Sequence, residues 1–504
     1  MAAAPPVVTL CFGLLLTACG DDGVHHLPDA PLVPSVTLSV APASIVLASG
    51  ATSMVTVTVE RTSFEGDVSV TADTGANDVT VSSGTIAADA TTVVLTVTAS
   101  GAAISKTITI AVTGSAGDVP VTPGSFDARI AGLIGPPIGG EAAADQAGSS
   151  VALSADGKRM IIGAPFNDGI AIDAGHARVY ERTGNTWAQL GGDLDGEAAD
   201  DRYGGAVAIS NDGSRVAVGS YLNDGNGTSS GTVRLFDLVG GTWTQVGADL
   251  DGLGTSDGHG WAIALSASGS RLIVGAPTQN SVNGTAHVYD LVGSTWTAVG
   301  VPIAGSHELG DAVEISDDGI RIAVGSPAAQ SSDGWPGMTQ IYEWSGTAWT
   351  PLGAPIMGAT SSAYSGTALS MTADGNEIAI GSANADSGGA NSGEVRVFRW
   401  DVATTTWMQV GASLSGPAGT ELGTSVSLSA DGTRLVAGGP VGSATARFYA
   451  RMQSTWSAPI VLDTGSRAGA SVAISADGTT AAVGAPYADN PGSNSGRVSV
   501  HELP

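Results

Sequence analysis

The feature that most constrains this chain is a recurring stretch, Ser154-Ala-Asp-Gly-Lys-Arg-Met-Ile-Ile-Gly-Ala-Pro165, of which close copies follow six more times. The copies turn at Asp156-Gly157, Asp212-Gly213, Ser268-Gly269, Asp318-Gly319, Asp374-Gly375, Asp431-Gly432 and Asp477-Gly478, in steps of 56, 56, 50, 56, 57 and 46 residues. Each copy alternates β-rich runs with turn residues. In the second, Ala206–Ser210, Arg215–Gly219, Thr232–Phe236 and Thr242–Gly247 read as four strands, the first pair joined by a tight hairpin. Repeats of about 50 residues built from short strands specify propeller blades.

Once per repeat a tryptophan stands in the fourth strand: Trp187, Trp243, Trp296, Trp349, Trp407 and Trp456. Sheets splay apart away from a propeller axis, so a large side chain is expected there as packing. The seventh copy stops after its third strand, at Val498–Pro504. Its missing strand is predicted upstream: Arg129–Ile138 aligns with Thr347–Ile356, with Ala131 in the tryptophan slot, and closes the ring so that no open edge remains.

Gly148–Leu153, the Asp-Gly turn and Ile162-Gly-Ala-Pro165 resemble the FG-GAP repeat of integrin α-subunit propellers and their bacterial relatives, and the similarity covers about residues 128–504. It implies a seven-bladed propeller that binds a macromolecule. Integrin-type blades often hold calcium in an Asp-rich loop between strands one and two, whereas here that hairpin shrinks to Ser-Ala-Asp-Gly. Asp156 and its counterparts are therefore read as turn formers. Calcium, if bound, falls to the loops after strand two, with Asp168, Asp173, Asp224 and Asp386 as candidates. No other cofactor is expected.

Residues 35–113 carry period-two runs rich in Val and Thr, such as Met54–Val59 and Val93–Val97, separated by Gly, Asp and Ser. That pattern predicts a β-sandwich. With no cysteine pair or core tryptophan, it resembles disulfide-free, spacer-like bacterial immunoglobulin-like domains, and residues 114–127 read as a linker to the propeller at 128–504. The fold class is thus all-β: an immunoglobulin-like sandwich followed by a seven-bladed propeller closed by an N-terminal strand.

The apolar run Val7–Ala18 is too short to span a bilayer and suits a secretory signal over residues 1–18. Leu16-Thr-Ala-Cys19-Gly20 resembles a bacterial lipobox, which implies lipid on Cys19, a Pro-containing tether over 19–34, and a lipid-anchored place in the cell envelope, at the outer membrane or cell surface. The segment Met1–Val8 departs from the usual signal in having no basic residue. The net charge of −28, with lysine only at 106 and 158, excludes a nucleic-acid footprint. A monomer is expected.

The loops after strands two and four fall on one face, where long loops place binding. Three departures from the repeat mark it: Trp261 beside His259, Asp311 in the equivalent slot of the next repeat, and Trp335 with Asp333 in a long loop. An aromatic surface beside carboxylates fits an extracellular protein or glycan. No Ser-His-acid, paired-carboxylate or metal spacing stands out, so adhesion or recognition is the expected function rather than catalysis. The alternatives are a glycan-active lyase or hydrolase and a structural envelope component.

Overall fold

A computed structural model describes residues 32–48, 51–100, 105–279, 283–305, 307–330, 334–443 and 445–504. Cys19, the signal segment, nearly all of the tether and Asp333 lie outside the described residues.

The N-terminal unit has ten strands: β1 (Ser35–Ala41), β2 (Ser44–Ala48), β3 (Thr52–Thr62), β4 (Val68–Asp73), β5 (Val79–Val81), β6 (Gly84–Ile86), β7 (Thr92–Ala99), β8 (Lys106–Ser115), β9 (Val121–Thr122) and β10 (Gly124–Ala131). They form two five-stranded sheets, ordered β5-β7-β3-β1-β9 and β2-β10-β8-β4-β6. Alternation in the sequence becomes alternation in burial: Val55, Val57 and Val59 of β3 face a core shared with Leu95, Ile110 and Phe126. At about 25 cal/mol per Å² of apolar surface, such alternation supplies the main stabilisation.

The expected linker at 114–127 is corrected here. β8 runs to Ser115, and β9 and β10 complete the two sheets, β10 pairing antiparallel with β8 and parallel with β2. Phe126, Ala128 and Ile130 of β10 are buried in this core, so the apolar alternation that looked like a closing strand through Arg129 and Ala131 serves the sandwich.

Seven antiparallel sheets follow, in a propeller-type arrangement. The first contains β12 (Ser150–Leu153), β13 (Arg159–Ala164), β14 (His176–Thr183), β15 (Thr186–Gln189) and β16 (Leu194–Asp195); β14 pairs with both short outer strands. The preceding strand, β11 (Ile138–Gly139), pairs with Arg497 and Val498 in the last sheet. Ile134 N donates to Val500 O at 2.7 Å, matching the bond from Leu352 to Ile341, so the aligned register holds from residue 132 onward. The chain thus passes from a sandwich strand straight into the outer edge of the last sheet.

A ring of backbone hydrogen bonds ties the hairpins together. Ala155 donates to Asn211, Asn211 to Ala267, Ala267 to Asp317, Asp317 to Ala373, Ala373 to Ala430, Ala430 to Ala476, and Ala476 back to Ala155, all at 2.9–3.1 Å. The cycle closes after seven steps.

Each sheet also grips its neighbours farther out. Each of the six repeat tryptophans donates its indole N–H to a carbonyl of the preceding sheet, as Trp243 does to Leu190 O at 2.8 Å. Arg159, Arg215, Arg271, Arg321 and Arg434 reach forward to the turn glycine carbonyl of the next hairpin. The turn glycines have φ of 63–71°, and at Gly213 a Cβ would press into the Arg159 side chain at 2.6 Å. Backbone conformation and neighbouring arginine both demand glycine there. Asp156 accepts from Ser154 Oγ and the Lys158 N–H; burial raises its carboxyl, but these bonds outweigh that and hold it below the usual range.

In the fifth sheet the charge pattern is reversed. Glu377 occupies the arginine slot and pairs with Arg399 on its own sheet and with Arg451 of the next at 2.7 Å.

Candidate functional site

The sandwich meets the ring on the hairpin side. Ser105 O accepts from Asn185 Nδ2 at 3.0 Å, and Ser105 shares a small cavity with Thr479 and Thr480 at the last hairpin. The loops after strands two and four lie at the opposite ends of the strands.

On this loop face, a positive-φ glycine precedes the innermost strand of six sheets and is the second residue of that strand in the fifth: Gly148, Gly204, Gly260, Gly310, Gly366, Gly423 and Gly469. Each abuts the strand-two glycine of the preceding sheet so closely that a Cβ on the latter would overlap its carbonyl, as at Gly219 against Gly260. The next residue in each copy therefore stands at a fixed place around the axis. Those places hold Ser149, Gly205, Trp261, Asp311, Thr367, Thr424 and Ala470.

The structure brings Trp261 and Asp311 together. The indole of Trp261 reaches the Asp311 carboxyl and opposes its upward shift, and Tyr221 packs edge-on against the indole, with centroids 4.8 Å apart. Thus held, Trp261 still exposes 43 % of its surface. Burial, reinforced by Glu308, pushes the Asp311 carboxyl up to about 7 against the opposing indole. From the same loop as Asp311, His307 meets Trp335 edge-on at 6.2 Å, and Trp335 is 40 % exposed. Tyr221, Trp261, Asp311, His307 and Trp335 form an aromatic and acidic strip spanning three consecutive sheets.

His259 does not join it. It is buried against His287 and Tyr289, at 5.2 and 6.1 Å, and burial holds it down at about 3, hence neutral. Its bridge to Gly231 matches that of Tyr203 to Gly175, which makes it a core position. The alignment with Tyr203 was the available signal. Sequence reasoning also missed Ile170 and Ile172, exposed on a loop of this face at 53 % and 72 %.

The four aspartates named as calcium candidates are each engaged within the protein. Asp168, Asp224 and Asp386 each accept a backbone N–H five residues on, from Asp173, Ser229 and Asn391, at 2.7–2.8 Å. Asp173 pairs with Arg202 at 2.9 Å. Three of these calcium candidates thus close six-residue loops and the fourth is held by an arginine, rather than converging on a common point. Among the described residues the one group of three with metal-ligand reach is Glu141, His176 and Asp193. Arg178 already lies between its two carboxylates, bidentate to Asp193 at 2.7 and 2.9 Å and paired with Glu141. Cation binding there meets a guanidinium in place.

One constellation escaped the sequence reading. At the closing seam Ser499 Oγ donates to Asp463 at 2.6 Å and lies 3.0 Å from His501 Nε2, beside a cavity of about 310 Å³. The order differs from a nucleophile triad, where imidazole stands between serine and acid. Burial pulls His501 down to about 4.

Residues 194–236 match the FG-GAP repeat, a span running from β16 through the first three strands of the second sheet. No curated protein matches the chain. Among solved structures, similarity extends to a chain of the mitotic checkpoint complex, at 14% identity over 70% of this chain and 86% of that one, with a TM-score of 0.44. It extends also to WR4, a C. elegans MSP family member, at 14% identity over 18% of this chain and 94% of that one, with a TM-score of 0.15. The FG-GAP repeat and the propeller-type fold point to a protein-interaction role.

Proposed function

We propose that this chain is a bacterial cell-surface lipoprotein that recognises a macromolecule through the loop face of a seven-bladed propeller. Lipid on Cys19 anchors it, residues 20–34 act as a tether, and an immunoglobulin-like sandwich, extended to Ala131, is the spacer. The seven-step hydrogen-bond cycle supports seven blades. Attachment of the sandwich on the hairpin side supports outward presentation of the loops.

The observation that carries the reading is Trp261: a large aromatic surface, oriented by Tyr221 and Asp311, left facing solvent on that face. Preoriented aromatics make strong contacts because little side-chain entropy is lost on binding. The ligand is an extracellular protein or a glycan, and binding rather than catalysis is the role. Arrays of surface proteins and glycans, probed with and without calcium, test it. Saturable binding lost in Trp261→Ala supports recognition, whereas glycans shortened on the array mean an enzyme.

A further inference from the structure

A buried polar group left without a hydrogen-bond partner costs stability, so such groups call for an explanation. At the seam between the fourth and fifth sheets five buried polar atoms have no hydrogen-bond partner in the protein: Thr339 Oγ1, Ser365 Oγ, Ser382 Oγ, Glu394 Oε2 and Arg396 Nε. The exposure of their residues runs from 0 % at Thr339, Ser365 and Ser382 to 8 % at Arg396. They share one face. Ser365 pairs with Ser382, and Ser382 with Glu394, across neighbouring strands of the fifth sheet, so these side chains lie on the same side. Arg396 follows two residues after Glu394, and its Nη2 donates to Met357 O of the fourth sheet at 2.7 Å. Thr339 comes from the fourth sheet, and its Oγ1 would lie 3.2 Å from a Cβ on Gly366, the neighbour of Ser365.

The other seams are built differently. The place of Thr339, opposite the strand-two glycine, holds Ala177, Val233, Ala286, Val395, Ala446 and Val498 elsewhere. Ser365 bridges Gly337 as Tyr203, His259, Leu309 and Leu422 bridge their own glycines, and all four of those side chains are buried. Serine is smaller than any of them, which leaves room for water beside it. Ala147 makes the same bridge at the closing seam, but there Val498 and Ala164 give it an apolar surround. Ser220 and Ser326, at the place of Ser382, donate to the carbonyls of Asp201 and His307. Ser382 has no such bond.

We propose that this seam is a hydration site, in which ordered water between the two sheets bonds all five atoms. Glu394 Oε2 and Arg396 Nε lie 3.6 Å apart, too far for a direct hydrogen bond. The carboxylate only accepts and the guanidinium only donates, so a molecule that joins them must do both. The two charges cancel and the three hydroxyls are neutral, so the ligand is uncharged rather than an ion. A buried water makes at most about four bonds, so five atoms call for at least two waters. Such water is part of the structure and costly to remove.

A high-resolution crystal structure of the full chain, with melting temperatures of two variants and the structure of a third, tests this. Solvent density is expected within about 3.2 Å of the Thr339, Ser365 and Ser382 hydroxyls. Thr339→Val and Ser382→Ala introduce side chains that other seams already carry, at Val233 and Ala276, so both fold. Each loses a bond to water and melts about 1–2 °C lower. Were the hydroxyls unpartnered, the same exchanges would remove a buried unpaired group and raise the melting temperature. Ser365→Leu introduces the side chain found at Leu309 and Leu422, and the density beside it is displaced. Absence of solvent density in the wild type, an unchanged or raised melting temperature in Thr339→Val or Ser382→Ala, or density that persists in Ser365→Leu overturns the proposal.

Discussion

Arg129, in the last strand of the sandwich, donates from Nε to Glu502 in the last strand of the ring at 3.0 Å, joining residues 373 positions apart. The pair marks the place where the chain leaves one unit and closes the other. Its arginine is 42 % exposed, so the ion pair itself contributes little. The closing strand holds through burial and backbone bonds: Ile134 is 2 % exposed, donates to Val500 O and accepts from Trp187 Nε1.

Closure is therefore expected to depend on Ile134 and not on Arg129. Arg129→Ala is expected to cost at most about 1 kcal/mol, and Ile134→Ala about 2–5 kcal/mol. Urea unfolding followed by tryptophan fluorescence separates the two.

The repeat tryptophans join packing to one indole bond each. For Trp243, 8 % exposed, replacement by phenylalanine removes the bond to Leu190 O and is expected to cost about 1 kcal/mol. Replacement by alanine adds a cavity between sheets and is expected to cost about 3–5 kcal/mol. Denaturant midpoints of the two variants read the difference.

Glu377 holds two arginines, and the Arg451 side chain is only 3 % exposed. Glu377→Gln leaves that guanidinium without its counter-charge and is expected to cost about 3–5 kcal/mol, most of which returns when Arg451→Met is added. Thermal melting of the single and double variants checks the coupling.

Glu314 makes stability pH-dependent. Burial raises its carboxyl from 4.5 to about 8 in the folded chain, so between those values the folded state holds a proton that the unfolded state has released. Stability from this group is full below about pH 4.5 and is lost as pH rises toward 8. The prediction is a melting temperature that falls between pH 5 and 8, and a shallower fall in Glu314→Gln.

The repeat was legible because each copy carries its own turn chemistry. The Asp-Gly hairpins, the strand order and the tryptophan positions all follow from local residues, and even the register of Ile134 with Leu352 could be read. The end of the sandwich could not. Ile130 and Ala131 suit either a sandwich strand or an outer blade strand, and only the pairing of β10 with β8 decides between them. Trp261, Asp311 and Trp335 stood out as departures from the repeat, whereas His259 misled because a buried aromatic slot accepts histidine as readily as Tyr203. The reversed charges at Glu377 and Arg451, and the approach of Ser499 to Asp463, depend on contacts between sheets that no single repeat encodes.

The central claim is that the loop face recognises a macromolecule through the Trp261 strip. The most direct measurement is saturation binding of the full chain to surface-protein and glycan arrays, comparing wild type with Trp261→Ala, Trp335→Ala and the hairpin-face control Lys158→Ala. The account predicts saturable wild-type binding, a loss of tenfold or more in both tryptophan variants and none in the control. Binding that survives both tryptophan substitutions, or no binding by the folded wild type, contradicts it.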